Sequence, residues 1–103
     1  MQATTNTIEQ VWFTAVGMRF RKSKPSDLQT AAGIRLQSEP NNQIDPQAIK
    51  VLIENAEQLV HVGYVSKKET ARVKPFLEKN YKIIVLDTYP QSVQLCLEVV
   101  SAQ

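Results

Sequence analysis

Val11-Trp12-Phe13-Thr14-Ala15-Val16 is rich in β-branched and aromatic residues and stops at Gly17, so it predicts a buried strand. Ser26 to Gly33 predicts one or two helical turns, with Ser26 as cap and Gly33 as stop. Ile34-Arg35-Leu36-Gln37 alternates apolar with polar, as a half-buried strand does. Glu39 to Pro46, with two prolines, two asparagines and an aspartate, reads as a loop. In Ala48–Glu54 the alternation returns, with Ile49, Val51 and Ile53 on one face. Asn55–Gln58 is a turn, and Leu59–Val65 is another strand, interrupted by Gly63.

Ser66-Lys67-Lys68-Glu69 has capping-box spacing, so a helix is expected from Lys67 through the region of Leu77–Lys79. Pro75 lies inside that pattern and should kink or divide it. Tyr81–Tyr89 and Val93–Val100 read as two last strands, joined through Tyr89-Pro90-Gln91-Ser92 as a hairpin. Strand, short helix, three strands, helix, two strands is a mainly β chain with some α (α+β). Turn-joined neighbours imply a small six-stranded antiparallel barrel with one main helix and one short helix. Residues 1–10 read as a flexible N-terminal segment and 11–100 as one domain.

Composition narrows the function classes. With 103 residues, 43% hydrophobic and 21% charged, the chain can bury one core and is not disordered. Its net charge of +2 means that a polyanion site must come from local clustering. One cysteine, Cys96, and one histidine, His61, give neither a disulfide framework nor a Cys/His zinc site. No apolar run approaches membrane-spanning length, and Met1–Gln10 lacks the layout of a signal peptide. The expectation is a soluble cytoplasmic domain without cofactor or metal. Catalysis has no support: the sequence holds no Gly-rich phosphate loop, paired-histidine motif or nucleophile elbow.

Arg19, Arg21, Lys22 and Lys24 put four cations in six residues around Phe20. That mix suits single-stranded nucleic acid, although a solvated loop uses the same residues. Asn41, Asn42 and Asp45 can fix a long turn by bonding to nearby backbone. Lys67 and Lys68 open the predicted helix, where cations are disfavoured and phosphate is welcome. Tyr64, after Gly63, is either rim packing or part of a site. Trp12 and Phe13 point to opposite faces of their strand and are assigned to no site, while Cys96 lies off the Val93/Leu95/Leu97/Val99 face.

Four segments now stand in order: Val16-Gly17-Met18-Arg19-Phe20, Gly33-Ile34-Arg35-Leu36, Glu39 through Val51, and Val62-Gly63-Tyr64-Val65. Together they resemble the HIRAN domain, whose hallmarks are a Gly-x-Arg after the first strand, an E-P-x-N-x-x-D-x-x-A-[IV]-x-V run and a G-[YH]-[VL] before a helix. The resemblance covers Val11 to Val100. It implies an OB-like β-barrel that binds DNA, in a stand-alone protein of bacterial or phage type. In well-understood eukaryotic relatives the domain captures the 3′ end of single-stranded DNA and is fused to helicase-like or nuclease proteins.

Carried onto this sequence, the resemblance implies that Arg19 and Phe20 line a pocket beside terminal nucleotides; Gly17 is expected to converge on the same site, and the local charge cluster adds Arg21 and Lys22 as a phosphate-binding edge. By the same resemblance Asn41 and Asn42 shape the loop, Asp45 accepts from a terminal 3′-hydroxyl, and Tyr64 and Lys67 lie by the strand's backbone; Lys68 joins them only through its place at the start of the predicted helix. Ile44 departs from the pattern, because end-binding relatives carry an aromatic residue there. The expected partner is single-stranded DNA or a 3′ end, alongside a helicase-like or nuclease protein and no membrane, in replication, repair or phage DNA metabolism. The alternative is a protein-interaction module that keeps the fold and has lost end capture.

Overall fold

The computed structural model describes residues 6–102. Six strands form one antiparallel sheet: β1 (Asn6–Val16), β2 (Gly33–Ser38), β3 (Ile49–Asn55), β4 (Gln58–Val65), β5 (Tyr81–Tyr89) and β6 (Ser92–Ala102). Their spatial order is β2-β3-β4-β1-β6-β5. β1 starts at Asn6, so the end of the expected flexible segment 1–10 is drawn into the ladder with β6, and residues 1–5 lie outside the described residues. The tight links β3–β4 and β5–β6 are the two-residue turns that the pattern predicts, with Asn55 opposite Gln58 and Tyr89 opposite Ser92.

The sheet curls without closing. Its edge strands, β2 and β5, share no backbone ladder. The Tyr81 hydroxyl spans the seam, accepting the Leu36 N–H at 3.0 Å and donating to the Leu36 carbonyl at 3.3 Å. The inward faces of all six strands make one core, in which Phe13, Ala15, Ile49, Val51, Val93, Leu95 and Leu97 are fully buried. Cys96 lies on the other face, as its alternation predicts, yet it is only 2% exposed. Burial holds its thiol above the ordinary range, so it stays protonated.

Both helical expectations need correction. The short helix α1 begins at Pro25 rather than behind a Ser26 cap: the Asp27 carboxylate reaches back to the Lys24 N–H at 2.9 Å, and Pro25 suits a first helical position. Gly33 does not end it but opens β2. The main helical segment stands where expected, over residues 67–76, and is divided as Pro75 requires, but it is not one α-helix. It runs as a 3-10 turn (Lys67–Glu69), a single α-turn α2 (Thr70–Val73) and a second 3-10 turn that Pro75 helps to start (Lys74–Phe76). Ser66 makes no side-chain cap. Glu69 is diverted instead to the Thr14 N–H at 2.7 Å and to Arg72 at 2.7 Å, while Arg72 also donates to the Trp12 carbonyl at 2.9 Å. β4 pairs with β1 only at Ala15 and Val16, so these two side chains take over where the ladder stops.

Candidate nucleic-acid interface

Gly63 sets the geometry at the end of β4. A Cβ there would lie 2.7 Å from the Val16 carbonyl oxygen and 3.1 Å from Met18 Cγ, so only glycine lets β1 and the turn after it pass this close. Across the bulge Val51 pairs with Gly63 and Leu52 with His61, leaving Val62 as the extra residue. Beyond it Tyr64 pairs with Lys50 on one side and Val16 on the other. At Gly17 the chain takes φ +76°, a conformation that glycine adopts without strain, and β1 turns directly into the 3-10 turn Met18–Arg21. Met18 is buried, and Arg19, Phe20 and Arg21 are pushed outward. The Arg19 guanidinium lies 5.2 Å from the centre of the Phe20 ring, which remains 78% exposed.

The loop between β2 and β3 is held by its own polar residues. The Asn42 carboxamide oxygen accepts from the Ile44 and Asp45 N–H groups, both at 2.9 Å, and its amide donates to Glu39 at 2.6 Å. One Asp45 oxygen accepts the Gln47 N–H at 3.0 Å, and the Asp45 carbonyl accepts from Ala48. Gln47 in turn accepts from Lys74, tying the loop to the helical segment. Asn42 and Asp45 therefore do the turn-fixing that their residue types suggest; Asn41 makes no such bond and is exposed.

This scaffold surrounds an open cavity of about 340 Å³ lined by Val16, Asn42, Ile44, Asp45, Ala48, Tyr64, Val65 and Lys67. Five of the sequence-predicted residues, from the loop, β4 and the 3-10 turn after it, meet here. Ile44 projects from the rim at 94% exposure. Gly17 hinges β1 beside it, whereas Arg19, Phe20, Arg21 and Lys22 stand on the neighbouring turn rather than in the lining. Lys68 faces a second groove, with Thr14, Ser66, Glu69 and Arg72. Lys74, Lys79 and Lys82 are engaged by Gln47, Glu9 and Glu98, so they extend no free patch.

Three residues without a predicted role complete the site. Glu39 accepts from Asn42 and from the Tyr64 hydroxyl at 2.8 Å, with Lys50 at 3.9 Å. The Asn42 and Tyr64 bonds, with Lys50, hold its carboxyl below the usual range. Burial first, and then this carboxylate, keep the Tyr64 hydroxyl protonated by raising it above the ordinary tyrosine value. His61 packs edge-on against Tyr64 with ring centres 4.7 Å apart, and its Nε2 bonds the Gly63 carbonyl at 2.9 Å. Burial and then the Arg21 cation lower its pKa. The signal for Glu39 was its place three residues before Asn42; nothing local marked Lys50 or His61.

The HIRAN domain family model matches residues 8–96. The chain belongs to the HIRAN domain family. Membership supports a nucleic-acid-binding role. The crystal structure of the HIRAN domain of human HLTF has the same fold, with a TM-score of 0.64 at 18% identity over 93% of this chain and 79% of that one. No curated protein matches the chain. Among the described residues this HIRAN domain holds no His/Cys/Asp/Glu group suited to a metal ion, and no helix long and apolar enough to cross a membrane.

Proposed function

We propose that this HIRAN domain binds single-stranded DNA at a 3′-hydroxyl end. One observation carries the reading: Asn42, Ile44, Asp45, Tyr64 and Lys67 share a single open cavity. A terminal nucleotide needs an apolar surface for its base, a cation for its phosphate and an acceptor for its hydroxyl. Val16, Ile44 and Tyr64 offer the first, Lys67 the second and Asp45 the third. A carboxylate repels phosphate, so Asp45 favours a free hydroxyl over a phosphorylated or continuing strand. Arg19, Arg21 and Lys22, on the adjoining turn, supply phosphate contacts, and the Phe20 ring is open for stacking. Such a module presents strand ends to a helicase-like or nuclease partner in cytoplasmic DNA replication, repair or phage DNA metabolism.

The test is fluorescence anisotropy with single strands ending in a 3′-hydroxyl or a 3′-phosphate. The hydroxyl end should bind more tightly, and Asp45→Ala should erase the difference while Arg19→Ala weakens both. Neutralising three phosphates should give a salt slope of roughly −2. A second reading, a protein-interaction module, draws on the exposure of Ile44 and Phe20. Salt-independent or absent binding of both strands would favour it, whereas equal, salt-dependent binding would remove only the end preference.

A further inference from the structure

Val16, Thr14 and Trp12 alternate along β1 and share one face of it. Val16 lines the cavity described above. Thr14 lines the adjoining groove of about 420 Å³, whose other walls are Ser66, Lys68, Glu69 and Arg72. Trp12 comes next, and it is 48% exposed although it sits mid-strand beside the buried Cys96. The Arg72 guanidinium is fixed at its backbone by the bond to the Trp12 carbonyl. The groove's one carboxylate, Glu69, is taken up by the Thr14 N–H and by Arg72. Lys68 has no ion-pair partner among the described residues, and neither does Lys67 at the junction of cavity and groove. Cavity, basic groove and exposed indole thus follow one another along this face of β1. Its length from Val16 to Trp12 is about 13 Å, enough for about four nucleotides at duplex rise and fewer in an extended strand.

We propose that a bound single strand leaves the cavity over Val16, follows Thr14 with its phosphates toward Lys68 and Arg72, and stacks a base on Trp12. This rests on the nucleic-acid reading of the cavity and extends it from an end pocket to a track. An exposed aromatic flanked by cations is the usual platform for single strands, because every base has a π-face. Trp12 lies outside the core cluster, so the inner core does not call for its ring.

Trp12 is the chain's single tryptophan, so its emission reports this position alone. Oligothymidylates of two and of eight nucleotides with free 3′-hydroxyls are titrated into the intact protein. Both should bind, only the octamer should quench the indole, and the octamer should bind about tenfold tighter or more, the scale of one base–aromatic stack. Trp12→Val should remove most of that length gain and leave dinucleotide affinity unchanged, which also shows that the variant is folded. Trp12→Phe should keep much of the gain, and Lys68→Glu should reduce it. An octamer that binds without quenching, with its length gain intact in Trp12→Val, overturns the track and leaves the end pocket standing. Emission that shifts with protein concentration and not with octamer assigns the face to a second copy and overturns it equally. Failure of both oligomers to bind removes the pocket reading and the track together.

Discussion

The Tyr81 hydroxyl both accepts from and donates to the backbone of Leu36, at 3.0 and 3.3 Å, so one side chain on β5 replaces the missing ladder to β2. An edge strand with unpaired backbone groups invites pairing with another chain, and such edges are usually blunted or covered. Here the seam is narrow enough for one phenol to bridge. The other gap, where β1 outruns β4, is bridged in the same manner by Glu69 and Arg72.

Tyr81→Phe leaves the ring in place and strands the Leu36 N–H in a half-buried seam. The expected loss is about 1–3 kcal/mol, the cost of an unsatisfied buried donor. That lowers the melting temperature by several degrees in a domain of this size. Calorimetry measures it. Oligonucleotide affinity should be unchanged, because Tyr81 lines none of the proposed binding surface.

Ala56 turns β3 into β4 at φ +56°, where a Cβ is strained. Ala56→Gly relieves that strain and gives back part of the gain as chain entropy. The expected outcome is a net stabilisation of up to about 1 kcal/mol, read from the denaturant midpoint at unchanged m-value. A midpoint that falls would mean that this turn carries no strain.

Strand content and order along the chain were legible because alternation marks the strands: Ile49, Val51 and Ile53 all face inward as their spacing requires, and the alternation breaks at the bulges of β4 and β5. The capping and the broken form of the helical segment after Ser66 were not, for a physical reason. The capping-box pattern at Ser66 and Glu69 is local, whereas Glu69 is claimed by Thr14, 55 positions away. The loop residues Asn42 and Asp45 were legible as both turn-formers and pocket lining, since a short polar side chain that fixes its own loop also faces its concave side. The Glu39–Tyr64 bond joins residues 25 apart, and the His61–Tyr64 packing depends on a bulge whose one mark in the sequence is Gly63.

Glu39 separates positioning from charge. In Glu39→Gln the side-chain oxygen still accepts from Asn42 and Tyr64, and one negative charge near the cavity is lost, so single-strand affinity should rise severalfold. In Glu39→Ala both donors lose their acceptor and affinity should fall. The pair is measured by anisotropy at one salt concentration, with Tyr64→Phe as a control that removes only one of the two bonds. Equal behaviour of Gln and Ala would show that charge alone matters.

His61 should make binding pH-dependent. Its surroundings are Arg21, Lys50, Glu39, Tyr64 and the Gly63 carbonyl, and burial with the Arg21 cation holds its pKa below the ordinary 6.5. In the free protein this costs stability as pH falls through that value, because the unfolded chain takes up the proton first. A phosphate on Arg21 offsets the cation and lets the pKa rise. The complex then binds more protons than the free domain, so affinity should increase as pH drops from 7.5 toward 6. Glu39, depressed below 4.5, stays charged throughout this window. His61→Gln, which can still donate to Gly63, should flatten the profile.

Ile44 decides how strongly the cavity can hold a base. Its backbone N–H is pinned by Asn42 at 2.9 Å while its side chain stands 94% exposed, so the position can be changed without disturbing the loop. Isoleucine offers area but no π-face. Ile44→Tyr should tighten single-strand binding by up to about 1–3 kcal/mol where the new ring reaches a base. Stacking does not sense the terminal group, so the gain should be the same for 3′-hydroxyl and 3′-phosphate strands. It should also persist in the Ile44→Tyr, Asp45→Ala double variant, whose end preference is gone. A gain confined to the hydroxyl end would mean that residue 44 works through Asp45, and no gain in a folded variant would place the base elsewhere than over this rim.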